Sequence, residues 1–465
     1  GGGGELSPLV IFGDTSQDGT RYDSRPDLGI FTGNAFYFPN HGNDTIDASA
    51  SPNAVTIYGG RGDDTIIGSQ ADDQLAGGSG NDTIDGQEGN DHIYGDSGFN
   101  LDFDVTKDDT DAAVVARLLT VPTVNASPEL TADAVTVVVE ITDSETGDVS
   151  TVESTTGVIL AGEDTIFGHD GADIIFGDHG EILQADGGAA RLLQNGFITY
   201  IGTVEPANGA QDTIDGNAGP DRILGGNGGD IIDGGEGRNI VLGDLGFIDY
   251  IVADGGDADS LDDIDVIEST DTDIGGGDII TTGSLSDIIL GGFGNDLINA
   301  GQGDNNIVIG DHGRLRSAED MESEQLATPL DGHPITLGRI ETISPAIGGG
   351  SDIITTGLGR DIILGGLGED SNFAYGSITQ TDGTVIVDAS AAGQDTSNIV
   401  IGDHGFIDYV SEDSDAADID RIWSTQEENF LLGGSDLIYT GEQNDIIIAG
   451  SRGDEIYAGN GINLV

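Results

Sequence analysis

The chain has 465 residues, of which 85 are acidic and 14 are basic, so its formal net charge is −71. This charge argues against nucleic acid as a partner, and no apolar run is long enough for membrane insertion. The absence of cysteine excludes disulfides and thiol chemistry, and a hydrophobic content of 36% predicts a weak core unless counter-ions neutralise the charge.

After a first segment, residues 1–40, for which we predict lead-in strands, the sequence acquires a period of nine. Residues 59–94 read GGRGDDTII, GSQADDQLA, GGSGNDTID and GQEGNDHIY. The sixth position of these units is held by Asp64, Asp73, Asp82 and Asp91. A fixed period of this length, with glycine, aspartate and an apolar residue at set positions, predicts a parallel β-solenoid.

Each unit divides into a glycine-rich turn and a short strand with one inward apolar residue. Two units complete one coil, so turns eighteen residues apart lie above one another and their carboxylates repel. A hard divalent cation between turns reverses that repulsion, and Ca²⁺ prefers the carboxylate and carbonyl oxygens that such turns offer. We therefore expect folding to be coupled to calcium, with disorder at low calcium and order at millimolar calcium.

These units resemble the repeats-in-toxin (hemolysin-type) calcium-binding family. The resemblance implies a right-handed parallel β-roll in which the sixth-position aspartates and turn carbonyls of units n and n+2 hold Ca²⁺. The stacked pairs that it implies are Asp64 with Asp82, Asp73 with Asp91, Asp212 with Asp230, Asp278 with Asp296, Asp352 with Asp370, and Asp436 with Asp454. The other sixth-position aspartates predicted as ligands are Asp164, Asp173, Asp221, Asp287, Asp361 and Asp445.

A second, longer repeat ends in a turn of the form G-D-x-G, which we call the exit turn. It recurs as YGDSGF at 94–99, FGDHGEI at 176–182, LGDLGFI at 242–248, IGDHGRL at 309–315 and IGDHGFI at 401–407. Its aspartate holds the second turn position, and its sixth position is taken by the apolar residue that begins an outgoing strand. We predict that these aspartates still reach a cation, and they are Asp96, Asp178, Asp244, Asp311 and Asp403.

Asparagine replaces the sixth-position aspartate in four units that precede an exit turn or its expected place, at Asn239, Asn306, Asn398 and Asn463. An amide oxygen there suits either a weaker metal site or a hydrogen-bonded ladder. The DIITTG segments at 278–283 and 352–357 carry paired threonines, which we predict to be structural.

The sequence predicts an all-β fold, a β-roll interrupted by β-hairpin or small β-lobe insertions. The predicted roll blocks are residues 41–99, 161–180, 210–246, 275–313, 348–405 (with an insert at 371–394) and 433–465, the last one truncated. The predicted inserts are residues 100–160, 181–209, 247–274, 314–347 and 406–432. The strongest strand outside the roll is expected at 132–142, in the largest insert.

Catalytic residue patterns are scarce. His179, His312 and His404 share the exit turn, but Ser97 and Leu245 hold the same place in other copies, so we predict solvent-exposed turn residues. The chain has neither an H-E-x-x-H zinc motif nor a G-x-S-x-G elbow. Carboxylate pairs occur in almost every turn, so residue type alone leaves glycosidase chemistry open. We predict that the chain is not an enzyme.

The combined pattern favours a secreted, extracellular or cell-surface structural protein stabilised by several Ca²⁺ ions. Such a chain would be a segment of a repetitive fibre, an adhesin stalk or a surface-layer array, and we expect self-association or end-to-end continuation. One alternative is an adhesin whose inserts recognise glycans or cells. Another is the calcium-binding tail of a secreted hydrolase or epimerase.

Overall fold

The computed structural model describes residues 9–13, 42–96, 98–103, 136–142, 149–155, 161–185, 197–250, 264–318, 320–321, 333–343, 349–375, 377–381, 384–388, 396–412, 418–424 and 433–465. Over these residues the chain forms strands, turns and bends. No helix among them is long and apolar enough to cross a membrane. The predicted all-β class and the parallel roll with inserts are confirmed.

The roll consists of two parallel twelve-stranded sheets, and successive strands of the chain alternate between them. Sheet I contains β1 (Leu9–Phe12), β3 (Val55–Arg61), β5 (Gln74–Ser79), β7 (His92–Tyr94), β12 (Ile174–Phe176), β16 (Arg222–Leu224), β18 (Ile240–Leu242), β22 (Ile288–Leu290), β24 (Ile307–Ile309), β28 (Ile362–Leu364), β32 (Ile399–Ile401) and β36 (Ile446–Ile448). Sheet II contains β2 (Thr45–Asp47), β4 (Thr65–Ile67), β6 (Thr83–Asp85), β11 (Thr165–Phe167), β15 (Thr213–Asp215), β17 (Ile231–Asp233), β21 (Ile279–Thr281), β23 (Leu297–Asn299), β27 (Ile353–Thr355), β29 (Ser371–Phe373), β35 (Leu437–Tyr439) and β37 (Glu455–Tyr457).

The middle residue of nearly every roll strand points into the roll. In sheet II, Ile166 of β11 pairs in register with Ile84 and Ile214, and all three are buried. In sheet I, Ile175 of β12 stacks in the same way on Ile93 and Ile223. These in-register columns form the interior core, and each buried isoleucine contributes roughly 1.5–3 kcal/mol. Stacking therefore gives the core that a single short strand lacks.

The inserts form a third sheet, which was not predicted. Their outgoing and returning strands pair as hairpins, and the hairpins pair with one another into one nine-stranded sheet. Sheet III contains β8 (Gly98–Phe103), β13 (Gly180–Ala185), β14 (Phe197–Thr203), β19 (Gly246–Asp249), β20 (Val266–Ser269), β25 (Gly313–Ser317), β26 (Leu337–Thr342), β33 (Gly405–Asp408) and β34 (Arg421–Ser424). The predicted hairpins are correct as local elements, but they do not project separately.

Sheet III packs on the outer face of sheet I and creates a second core. Its inward residues form an in-register row that includes Ile182, Ile201 and Ile248. They share one apolar cluster with Ile174 and Phe176, which flank the inward residue of β12. Strands of sheet I are therefore buried on both faces, whereas sheet II strands bury mainly their middle residue.

Two shorter hairpins lie in other inserts. One pairs β9 (Thr136–Thr142) with β10 (Val149–Thr155), which places a strand within the predicted 132–142 stretch. The other pairs β30 (Ser377–Thr381) with β31 (Thr384–Asp388). The insert predicted at 371–394 begins later than expected, because residues 371–373 form β29 of the roll. Of the predicted lead-in segment, β1 lies in the roll, and residues 1–8 and 14–41 lie outside the described part.

Candidate metal centre

The sixth-position residues form two columns along the roll. The first edge comprises the turns that run from sheet I to sheet II, and the second edge comprises the turns that run from sheet II back to sheet I. On the first edge the column is Asp44, Asp64, Asp82, Asp164, Asp212, Asp230, Asp278, Asp296, Asp352, Asp370, Asp436 and Asp454. On the second edge it is Asp73, Asp91, Asp173, Asp221, Asn239, Asp287, Asn306, Asp361, Asn398, Asp445 and Asn463.

One carboxylate oxygen of each aspartate links consecutive coils. On the first edge, each sixth-position N–H donates to the Oδ1 atom of the next aspartate at 2.7–3.1 Å. The Asp82 N–H bonds to Asp164 although an insert separates them by 82 residues. Asp44 begins this ladder by donating to Asp64 at 2.7 Å. Asp44 was not among the predicted ligands, although HGNDTID at 41–47 matches GNDTID at 80–85.

Each exit turn is a split turn. Gly177 and Asp178 supply its first two positions, and Asp212 returns after the insert to supply the sixth. The prediction that an apolar residue of the outgoing strand takes the sixth position is therefore wrong. The turn is completed across the insert because the returning strand must rejoin sheet II in register.

The other oxygen of these aspartates is buried in the turn. Among the described residues, the Oδ2 atoms without a hydrogen-bond partner include those of Asp82, Asp91, Asp164, Asp173, Asp212, Asp221, Asp230, Asp278, Asp296, Asp352, Asp370 and Asp436. A buried carboxylate oxygen that lacks a partner is costly. Its regular recurrence indicates that a ligand belongs beside it.

A small cradle adjoins each such oxygen. A Cβ atom added to Gly216, the first residue of its turn, would lie 2.8 Å from Asp221 Oδ2 and 2.9 Å from the carbonyl oxygen of Gly234 in the next coil. A Cβ on Gly168 would likewise lie 2.7 Å from Asp173 Oδ2 and 3.0 Å from the Gly216 carbonyl. The first-position glycine thus leaves a space faced by a carboxylate and a carbonyl oxygen, which is a donor set that suits Ca²⁺.

Burial raises the pKa of the carboxylates in these columns, so without a cation their ionised form is disfavoured. It raises the pKa of Asp82 to about 8, that of Asp164 to about 9 and that of Asp91 to about 10. Burial and the charges of neighbouring aspartates raise the pKa of Asp278 and Asp296 well above the ordinary value. The ionised column therefore requires compensating positive charge.

The exit-turn aspartates use their oxygens differently. Asp178 accepts the Ala210 N–H of the returning chain at 3.0 Å and the Asn227 N–H of the next coil at 2.7 Å. The same pattern of two backbone donors recurs at Asp244, Asp311 and Asp403. In the structure these carboxylates hold the insert's return against the exit turn, and their reach to a cation stays a prediction.

The exit-turn histidines are buried, so their predicted exposure is wrong. His179 is 2% exposed, and its Nε2 atom lies 2.7 Å from Asn208 Nδ2. His404 Nδ1 lies 3.0 Å from Thr342 Oγ1. Burial lowers the pKa of His312 and that of His404 to about 4, so both are neutral at pH 7. The prediction failed because sheet III covers the exit turns.

Comparison with known families agrees with this geometry. The family model of the RTX calcium-binding nonapeptide repeat matches residues 40–75, 56–84, 67–101, 160–181, 207–241, 274–308, 348–371 and 432–465. A search of curated proteins returned no match. The matched stretches follow the roll, and repeats of this kind bind Ca²⁺ and are typical of secreted proteins. The chain therefore carries RTX calcium-binding nonapeptide repeats along the roll.

Proposed function

We propose that the chain is a calcium-stabilised structural rod, a segment of a secreted fibre, adhesin stalk or surface-layer array at the cell surface. The observation that carries this proposal is the unbroken pairing of twelve strands in each roll sheet through every intervening insert. At a strand spacing of about 4.8 Å, the roll is roughly 55 Å long. Such a stack acts as a spacer, because each coil contacts only its neighbours and added coils extend the roll along its axis.

We assign calcium to the cradles that combine a sixth-position Oδ2 atom with first-position carbonyls. The Gly168 cradle, with Asp173 and the Gly216 carbonyl, is representative of the second edge. Gly310, with Asp352 Oδ2 and the Gly365 carbonyl, is representative of the first edge. When bound, calcium supplies positive charge between carboxylates. The protein's own residues fix the spacing, because the Oδ1 ladder sets the distance between coils.

We further propose that segments of this roll associate along its axis. A parallel roll presents an unpaired edge strand at each end of any segment, and such strands pair with others unless something covers them. The acidic columns oppose this contact unless calcium neutralises them. Calcium is therefore required both for the folded rod and for its end-to-end association.

Electron microscopy of the chain tests this function. In millimolar calcium we expect elongated rods that join end to end, and after chelation we expect the rods to disappear. Magnesium at the same concentration is the matched control, because Mg²⁺ demands a tighter octahedral oxygen shell than these turns offer. Compact monomeric particles both with calcium and with chelator would contradict the structural role.

The outer face of sheet III favours a second candidate function, the recognition of glycans or cells. Arg339 lies 4.0 Å above the ring of Phe406. Trp423, the partner of Phe406 across β33 and β34, is 57% exposed. Exposed aromatic surface beside charged groups suits a ligand contact. Binding on a glycan array that Trp423→Ala abolishes would favour this function over the purely structural one.

A further inference from the structure

The second edge changes its chemistry partway along the roll. Up to Asp221 its turns begin with glycine and carry aspartate at the sixth position, except in the first coil, where Val55 holds that place. From Asn239 onward, asparagine and aspartate alternate strictly in the column. After Gly234, the first positions are threonine or alanine: Thr282, Ala300, Thr356, Ala374, Thr440 and Ala458. From Asn239 onward, no described turn on this edge combines a first-position glycine with a sixth-position aspartate.

The asparagines place the Nδ2 amide group where the aspartates have the Oδ2 atom. Asn239 Oδ1 accepts the Asp221 N–H at 3.0 Å, so the ladder between coils continues. Its Nδ2 donates to the first-position carbonyl of Gly234 at 2.9 Å. That carbonyl is the one that faces the Gly216 cradle. The amide thus binds an oxygen that a cation would otherwise bind.

The next two asparagines also bond first-position carbonyls, of their own turn or of the next coil. Asn306 Nδ2 donates to the first-position carbonyl of Thr356 at 3.0 Å. Asn398 Nδ2 donates to the first-position carbonyls of Ala374 at 3.2 Å and Thr440 at 3.3 Å. Of the two roles that the sequence left open for these residues, the structure contains the hydrogen-bonded ladder.

The first-position side chains close the remaining space. A Cβ atom at this position lies where the cradle opens, as the distances at Gly168 and Gly216 show. In the coil of Asp445, the Thr440 hydroxyl donates to Asp445 Oδ2 at 2.8 Å. Thr282 and Thr356 hold the same position in the coils of Asp287 and Asp361 and are buried. Among the described residues neither hydroxyl forms a hydrogen bond, and Asp287 Oδ2 has no hydrogen-bond partner, so at these two turns the threonine side chain occupies the space without bonding to the carboxylate. This explains the threonines of the DIITTG segments as structural residues.

Over the same coils the first edge keeps glycine at its first positions until its last turn, which begins with Ala449. Gly243, Gly291, Gly310, Gly365 and Gly402 hold its first positions. A Cβ on each of them would meet a sixth-position Oδ2 atom and the carbonyl oxygen of the next coil's first-position residue. The two edges of one coil therefore differ in whether they keep a space for a cation.

We infer that the second edge from Asn239 to Asn463 closes without calcium, and that Asp287, Asp361 and Asp445 hold no calcium ion. Calcium on this edge is confined to the earlier turns, whereas the first edge binds calcium along its length. This inference rests on the proposed assignment of calcium to the glycine cradles. It makes the roll asymmetric, because beyond Asn239 the edge that carries the exit turns keeps glycine cradles and the opposite edge does not.

Native mass spectrometry of the full chain in calcium tests the inference with one substitution at two places on the same edge. Asp173→Asn lies in a glycine cradle, and we expect it to bind at least one calcium ion fewer than the wild type. Asp287→Asn lies beside Thr282, and we expect its calcium number to be unchanged. Both variants keep an Oδ1 acceptor for the ladder. Asp91→Asn and Asp361→Asn form a second pair if either variant fails to fold.

The outcomes separate this inference from the proposed function. Loss of calcium in Asp287→Asn or Asp361→Asn, equal to the loss in Asp173→Asn or Asp91→Asn, overturns the inference and leaves the general calcium assignment intact. An unchanged calcium number in all four variants overturns the assignment of calcium to these aspartates, and the inference with it. A loss confined to Asp173→Asn and Asp91→Asn supports both.

Discussion

In excess chelator at pH 7.4, the chain is expected to lose most of its β-sheet circular dichroism signal, and millimolar calcium is expected to restore it. The first edge stacks buried aspartates in successive coils from Asp64 to Asp436, and the ionised forms repel one another. Each uncompensated buried charge costs several kcal/mol, whereas a whole domain is stable by about 5–15 kcal/mol. A few such aspartates outweigh the isoleucine columns, so the free energy of unfolding falls below zero without the cation.

A calcium titration followed by far-ultraviolet circular dichroism measures this effect. Magnesium at equal ionic strength is the control for general screening of the net charge of −71. A signal that is the same in chelator and in calcium would show that the roll folds without the ion.

Acidification is expected to restore the fold of the calcium-free chain. The folded-state pKa of Asp82 is raised to about 8, that of Asp164 to about 9 and that of Asp91 to about 10, in each case mainly by burial. Between the ordinary aspartate pKa of about 3.9 and these values, the folded form binds protons that the unfolded form lacks. Its stability is therefore fully present below pH 4 and falls as the pH rises through this window, by up to ~1.4 kcal/mol per pH unit for each such carboxyl.

The measurement is circular dichroism in chelator between pH 5 and pH 8, with more β structure expected at pH 5. The same titration in calcium is the control and should show the opposite sign, because protons compete with the ion for the carboxylates. More β structure at pH 8 than at pH 5 in chelator would contradict the burial of protonated aspartates in the calcium-free fold.

The roll and its aspartate columns were predictable because the nine-residue period encodes them locally. Gly78 and Gly80 adopt φ angles of 119° and 117°, which glycine tolerates best, and the apolar residue of each unit marks the inward column. The nine-residue period does not locate the aspartate where a unit is longer than nine residues. The Oδ1 ladder steps by 20 residues from Asp44 to Asp64 and by 18 from Asp64 to Asp82, so Asp44 was missed.

Sheet III was not predictable from the period, because its strands pair only after the roll has stacked their insertion points. Ile201 pairs with Ile248 across an intervening pair of roll coils. A signal was nevertheless present in the sheet I strands, which read IIF at 174–176, IVL at 240–242 and IIL at 288–290. Three consecutive apolar residues predict a strand that is buried on both faces. Sheet II strands such as TID at 213–215 lack this signal.

The division between the two edges was present in the sequence but could not be interpreted without the coil contacts. Asn239 and Thr440 are each compatible with several roles by residue type alone. The packing of the turns determines their roles, because the Asn239 amide bonds a first-position carbonyl and the Thr440 hydroxyl bonds Asp445. The sequence pattern located the carboxylates, and the packing of the turns determined which of them keep room for an ion.

A crystal structure of the chain grown in calcium, with anomalous difference density, tests the central claim most directly. Peaks are expected along the first edge, between each sixth-position Oδ2 atom and the adjoining first-position carbonyls, as at Asp296 and Asp352. On the second edge, peaks are expected beside Asp91 and Asp173. No peaks are expected on that edge from Asn239 to Asn463. A first edge without peaks, or equal peaks on both edges along the whole roll, would contradict this account.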